Sequence, residues 1–339
     1  METAHIAMQA SYLALFWAGV IALAILVYVI LDGFDLGVGI LFGTTRDEAR
    51  RTAMMNAIAP YWDGNETWLV VIGATLFAAF PVVYTVFLGA FYLPVLLLLI
   101  GLIFRGVAFE FRYRSDRLRR LWDWGFFLGS GVAVFVQGAA LGAMILGIPV
   151  ANGQYAGRAF DWLAPFPVLT GIGLLLGDAL LGAGWLVLKS EGALRDWAYR
   201  RIPWLAGGVL VVLLLAFSVT FDYSALARGH WDARPWGLIF PALGVLALIG
   251  ILAGVRRKRD GLPFAMTVLF FLAAFLTLGV MFWPYMIPYA ITVANAAAPQ
   301  ASLSFLFYGA GLFVLPVVFV YTFGVYWIFR GKVRQGYDE

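Results

Sequence analysis

Six ionisable residues stand in stretches too apolar to hydrate them. Asp32 and Asp35 lie in "YVILDGFDLGVGILF", Asp63 and Glu66 in "APYWDGNETW", Arg105 in "LIGLIFRGVAFEFR" and Asp178 in "LLGDALLGAGWL". An aspartate near the centre of a membrane helix costs ~2.5–3.5 kcal/mol on insertion scales, so it needs a cation, a proton or water. Asp32 and Asp35 are three residues apart, as are Asp63 and Glu66. On a helix that spacing puts each pair on roughly one face. Two chemistries fit. Buried carboxyls separated by water can take and release protons, so the four form a ladder for proton or ion transfer. Alternatively they are structural, pairing with Arg105 or capping broken helices. Asp63 suits the second reading: Pro60 and Gly64 weaken the helix around it, and Asp and Asn side chains satisfy freed backbone N–H groups. Arg105 either snorkels to the nearby basic interface or neutralises an acid of the ladder. Asp178 has no base beside it in sequence. The residues alone leave these alternatives open.

Other chemistries are excluded by composition. With no cysteine, the chain has no disulfide, thiol nucleophile, Cys-ligated zinc or iron–sulfur centre. The only histidines, His5 and His230, fall outside the apolar stretches, so no paired histidines are available inside a membrane for heme or copper. Methionines such as Met144, Met266 and Met281 read as packing, and no axial ligand or metal site is assigned to this chain. There is no Walker motif, nor a Gly-rich turn between strand and helix. Nothing points to nucleic acid. "YWDGNETW" and "WPYMIPY" combine aromatics with polar groups or proline, as a flat apolar ligand such as a quinone requires, although packing explains them as well.

The elements that carry these residues are membrane helices. Of the 339 residues 63% are hydrophobic and 12% charged, against ~25% charged in soluble domains. Nine spans are expected, at 12–42, 54–80, 82–109, 121–148, 163–188, 204–221, 236–255, 262–282 and 303–329, in one polytopic membrane domain covering 1–339. The first is too long for a cleaved signal and is read as retained. Only Pro81 divides the second from the third, but 54–109 is too long for one crossing. Every Lys and Arg except Arg105, Arg158, Arg228 and Arg234 falls in alternate connections or the tail. That alternation requires an odd number of spans, with the N-terminus outside (periplasmic) and the C-terminus cytoplasmic. By loop distances, Asp32 lies near mid-membrane, and the short basic connection brings Asp63 alongside it at similar depth. "LDGFDLGVGIL" in span one is echoed by "LLGDALLGAGWL" in span five. The echo suggests two related bundles, 12–148 and 163–282, with 303–329 peripheral, and makes Asp178 the second-bundle counterpart of Asp32 or Asp35.

"LDGFDLGVGIL", "NAIAPYWDGNETWLV", "LFAAFPVVY", "FRGVAFEFR" and "WDWGFFLGS", in this order, resemble subunit II of cytochrome bd-type quinol oxidases. The likeness continues more weakly to "WPYMIP" and the ninth span. The short segment 222–235 is similar to the compact form in cyanide-insensitive members. The resemblance implies an all-α integral membrane subunit of two four-helix bundles and a peripheral helix, in the bacterial inner membrane. It implies a complex that oxidises quinol and reduces dioxygen to water, with two hemes b and one heme d held by a partner, subunit I, and none ligated by this chain. A small single-span accessory subunit also occurs in such complexes. The first Asp of "DGFD" and the Asp of "WDGN", here Asp32 and Asp63, match a cytoplasmic proton path. Trp62 matches the aromatic where some members bind a structural quinone. Against this stands a second reading, a secondary transporter coupled to protons or ions, which buried acids and Gly- or Pro-broken helices also suit.

Overall fold

The computed structural model describes residues 10–114, 117–223 and 234–333, with side chains of 220–223 left aside. His5, His230 and most of the 222–235 segment lie outside the described residues. Helix α1 runs over Tyr12–Phe42, the stretch expected from sequence, and starts at Ser11, whose side chain accepts from the Ala14 N–H. The expected second span is instead two helices, α2 (Glu48–Ile58) and α3 (Trp62–Ala79), broken by a turn at Ala59–Tyr61. Pro60 explains the break, since it has no N–H to donate and its ring obstructs the preceding turn. Pro81, the thin divider in the sequence, is the first residue of α4 (Pro81–Phe111), after a non-helical Phe80. Pro94 lies inside α4, and the helix kinks at Phe91.

The remaining long helices are α5 (Arg119–Leu146), α6 (Pro165–Lys189), α7 (Gly192–Tyr223), α8 (Ile239–Arg256) and α9 (Gly261–Phe282). After the four-residue α10 (Val293–Ala296), the last crossing starts as α11 (Gln300–Leu306), loosens into a π-helical stretch at Phe307–Val314, and resumes as α12 (Leu315–Ile328). Two small antiparallel hairpins, β1–β2 (Val150–Ala151, Gln154–Tyr155) and β3–β4 (Tyr285–Ile287, Ile291–Thr292), close the end opposite the basic connections. Among the described residues eight helical segments are long and apolar enough to cross a membrane. Helix α3, polar through its first turn, is not one of them.

Helix α6 is central: it packs on α1, α5, α7 and α9. Its contact with α1 is backbone to backbone. A Cβ on Gly37 would fall 1.8 Å from the Asp178 carbonyl oxygen, and one on Gly182 would fall 2.6 Å from the Gly37 carbonyl carbon. These two glycines occupy matching places in the two echoed segments. The next matching pair behaves alike: Gly39 abuts Ser130 of α5, and Gly184 abuts Phe264 of α9. Close approach of the two helices accounts for the shared glycines.

The basic connections gather at one end of the molecule. Arg51 reaches Asp123 (2.7 Å), Arg112 bonds Asp123 (2.7 Å) and Glu48, and Arg119 bonds Glu48 (2.5 Å). The Arg50 guanidinium lies 5.4 Å from the centre of the Trp197 ring. Lys332 in the tail pairs with Asp260 of the α8–α9 turn at 2.6 Å.

Candidate functional site

Where α1, α3 and α4 meet, three of the expected residues come together. Arg105 is fully buried, so it does not snorkel. Its Nη1 donates to Glu66 Oε1 at 2.5 Å and to Asp32 Oδ1 at 3.3 Å. Asp32 is fully buried, whereas the Glu66 side chain keeps 25% of its surface exposed. The cluster thus has a closed side at α1 and a partly open side at α3. Asp32 is ten residues from the end of α1 at Phe42, ~15 Å along the axis from the basic end.

Asp35 sits one turn closer to that end and is fully buried. Among the described residues it pairs with no cation; Asn65 Nδ2 donates to its Oδ2 at 2.6 Å. The same amide nitrogen donates to the Leu31 carbonyl at 3.1 Å, while Asn65 Oδ1 accepts from the Tyr326 hydroxyl at 3.0 Å. Asp178 approaches α1 from α6, its Oδ1 3.4 Å from where a Cβ on Gly33 would stand. Position 33 is the matching place in the echo, so Asp178 faces the backbone between Asp32 and its neighbours and is the exact copy of neither aspartate.

Asp63 does not face Asp32. It is exposed, in the first turn of α3, and makes no ion pair among the described residues. The acid of α3 at the level of Asp32 is Glu66. Depth estimated along the loop fails because the α2–α3 break uses up chain without advancing it along one axis. Trp62, half-buried, packs on Phe109 (ring centres 5.2 Å apart) and near the Arg105 guanidinium, 5.8 Å from the ring centre.

Several buried polar atoms of this region have no hydrogen-bond partner among the described residues: Asp35 Oδ1, Asp178 Oδ1, and Arg105 Nε and Nη2. Buried polar atoms are rarely left unpaired, and bound water is the usual answer. Two carboxyls on one guanidinium, with the buried Asp35 and Asp178 bonded to no cation among the described residues, cannot all carry charge without further compensation, because an unpaired buried charge is very costly. The arrangement is suited to holding and exchanging protons.

Sequence reasoning missed Asn65, Tyr326 and Lys189. Lys189, at the end of α6, is buried and donates to the Phe329 carbonyl (2.5 Å), the Tyr61 hydroxyl (2.8 Å) and the Gly331 carbonyl (3.2 Å). Its place at the edge of a basic connection disguised it as a surface charge. Among the described residues no group of His, Cys, Asp and Glu is arranged to hold a metal ion.

Fold and site together define an all-helical, multi-pass membrane protein with a buried acid–arginine cluster between its helices. The family model described as cytochrome bd terminal oxidase subunit II matches residues 13–329, so the chain belongs to that family. Cytochrome bd ubiquinol oxidase subunit 2 of Bacillus subtilis is 32% identical over 337 residues, spanning 94% of this chain and 96% of that protein. Cytochrome bd-I ubiquinol oxidase subunit 2 of Escherichia coli K12 is 29% identical over 366 residues, 94% of each. A chain of the solved bd oxidase from Geobacillus thermodenitrificans shares the fold, with a TM-score of 0.70 at 17% identity, covering 91% of this chain and 97% of that one. The chain is therefore a subunit of a terminal oxidase, and the transporter reading is set aside.

Proposed function

We propose that this chain conducts protons from the cytoplasmic side toward a heme-bearing subunit I, in a complex that oxidises quinol and reduces dioxygen to water. The observation that carries the proposal is the shared guanidinium of Arg105, which links a fully buried acid, Asp32, to a partly open one, Glu66. Asp63, exposed one turn before Glu66, is the entry; Glu66 and Asp32 are the relay; Asp35 and Asp178 extend it along α1 and α6. The hemes, two b and one d in the partner, supply the oxygen chemistry when bound; this chain's residues hold and pass protons. A structural quinone at Trp62 would share that ring with Phe109 and Arg105.

The same reading has the chain cross the bacterial inner membrane nine times. The α2–α3 pair counts as the second crossing, and the last helix lies outside two four-helix bundles, 12–148 and 163–282. The gathering of basic segments at one end supports a cytoplasmic C-terminus and a periplasmic N-terminus. Subunit I is the partner, with lipid around the pair and room for a small single-span accessory subunit.

The test uses the assembled oxidase. Asp32→Asn and Glu66→Gln should leave the heme spectrum intact while slowing turnover and cytoplasmic proton uptake together. Both variants with wild-type turnover and uptake would leave the acids only a structural role.

A further inference from the structure

The last crossing is peripheral by connectivity, yet one of its side chains reaches the acid cluster. We infer that Tyr326 and Asn65 form a positioning pair that dictates which oxygen of Asp35 can receive a proton; the inference rests on the proton-path reading above. The Leu31 carbonyl only accepts, so the Asn65 nitrogen must face α1 whatever the state of Asp35. Asn65 Oδ1 then faces Tyr326, whose hydroxyl must donate. Both Asn65 N–H groups are committed, one to Leu31 and one to Asp35 Oδ2. A proton on Oδ2 would weaken the bond that Asn65 donates to it, so Oδ1 is the favoured oxygen of Asp35 for a proton, and Oδ1 is buried without a partner among the described residues.

Tyr326 can act this way only if α12 is fixed in rotation and height, and two sets of contacts fix it. The Tyr326 ring packs on Tyr61 (centres 4.8 Å apart) and lies edge-on to Phe34 (6.4 Å). Three residues on, Lys189 holds the Phe329 carbonyl at 2.5 Å, a cation at a helix C-terminus. The charged and titratable groups that face Asp35 are Asp32 on its own helix, Glu66 on α3, Arg105 on α4 and Tyr326 on α12, while Asp178 on α6 lies against Gly33.

Tyr326→Phe removes the hydroxyl and keeps the ring packing. In the complete oxidase it should alter turnover on the flank of the pH profile by roughly 2- to 10-fold, the effect of one neutral hydrogen bond. It should also shift the infrared band of the Asp35 carboxyl, identified as the band lost in Asp35→Asn. Neither change should appear when Tyr326→Phe is added to Asn65→Leu. An unmoved Asp35 band, or an equal effect of Tyr326→Phe with and without Asn65, overturns the inference. Should Asp35→Asn keep wild-type proton uptake, the proton path through Asp35 fails instead, and the infrared band still decides whether the pair positions the carboxyl.

Discussion

Arg105→Gln is the sharpest perturbation of the cluster, because a single nitrogen serves two acids. Glutamine keeps much of the length and loses the charge. Asp32, fully buried, and Glu66, 25% exposed, then lose their counter-charge. Removing one partner of a buried ion pair costs ~3–5 kcal/mol, mainly through the charge left behind. Glu66 can turn to water, so most of the cost falls on Asp32, and we expect the lower end, ~3 kcal/mol, or about 150-fold in the unfolding equilibrium. Denaturant titration of the purified complex in detergent micelles, followed by loss of the heme spectrum, measures it. Two consequences make the reasoning testable beyond mere damage. Adding Asp32→Asn removes the stranded charge and should recover more than half of the loss, a non-additivity that only contacting residues display. Lowering the pH neutralises stranded carboxylates and should narrow the gap between the variant and wild type. A deficit that Asp32→Asn leaves untouched, or that widens with acid, would refute the pairing as the source of stability.

Gly182→Val places side-chain atoms where the Gly37 backbone already lies, 2.6 Å from the new Cβ; overpacking of this kind costs ~1–3 kcal/mol, and yield of the assembled complex should fall well below that of Gly279→Val, whose Cβ meets nothing within 4 Å. Lys189→Met should free the end of α12, raising hydrogen exchange at Phe329–Gly331; unchanged exchange there would deny Lys189 its anchoring role. Asp260 governs the acid response of the tail. Partial burial works against its charge, but the Lys332 and Tyr199 bonds outweigh it and hold its carboxyl below the usual range. A depressed acid contributes in full above the unfolded value, ~3.9, and its contribution is lost as pH falls through the folded value. Tail docking, read by proteolysis after Arg330, should hold at neutral pH and fail in strong acid, and Asp260→Asn should weaken it at neutral pH.

Helix positions were largely legible because hydrophobic length and proline placement are local properties. Tyr12–Phe42 and the division at Pro81 follow from them directly. The shared glycines of the first and fifth spans were legible as well, since close backbone contact leaves no room for a side chain there. What resisted reading was rotation. Side chains turn ~100° per residue along a helix, so which acid faces a neighbour depends on helical phase. The break at Ala59–Tyr61 resets that phase between the basic connection and Asp63, which is why Glu66 rather than Asp63 stands opposite Asp32. Arg105 was ambiguous for a related reason: seven residues from a basic loop, an arginine can reach water or turn inward, and only the acids contributed by α1 and α3 decide.

The neutral members of the site were the least legible, and they carry most of its directionality. Arg105 can compensate a carboxylate from many angles, because the attraction between charges has little geometric preference. An amide is different: its two ends are not interchangeable, and Leu31, an acceptor only, breaks the tie for Asn65. The pairings come from residues 34 and 261 positions apart in the chain, so no local pattern reports them. A relay assembled from acids alone would have no preferred oxygen at each step. One asparagine, oriented by the Leu31 carbonyl and held in place by a tyrosine on the last helix, supplies that preference at Asp35, which gives the last crossing a reason to be held as firmly as Lys189 holds it.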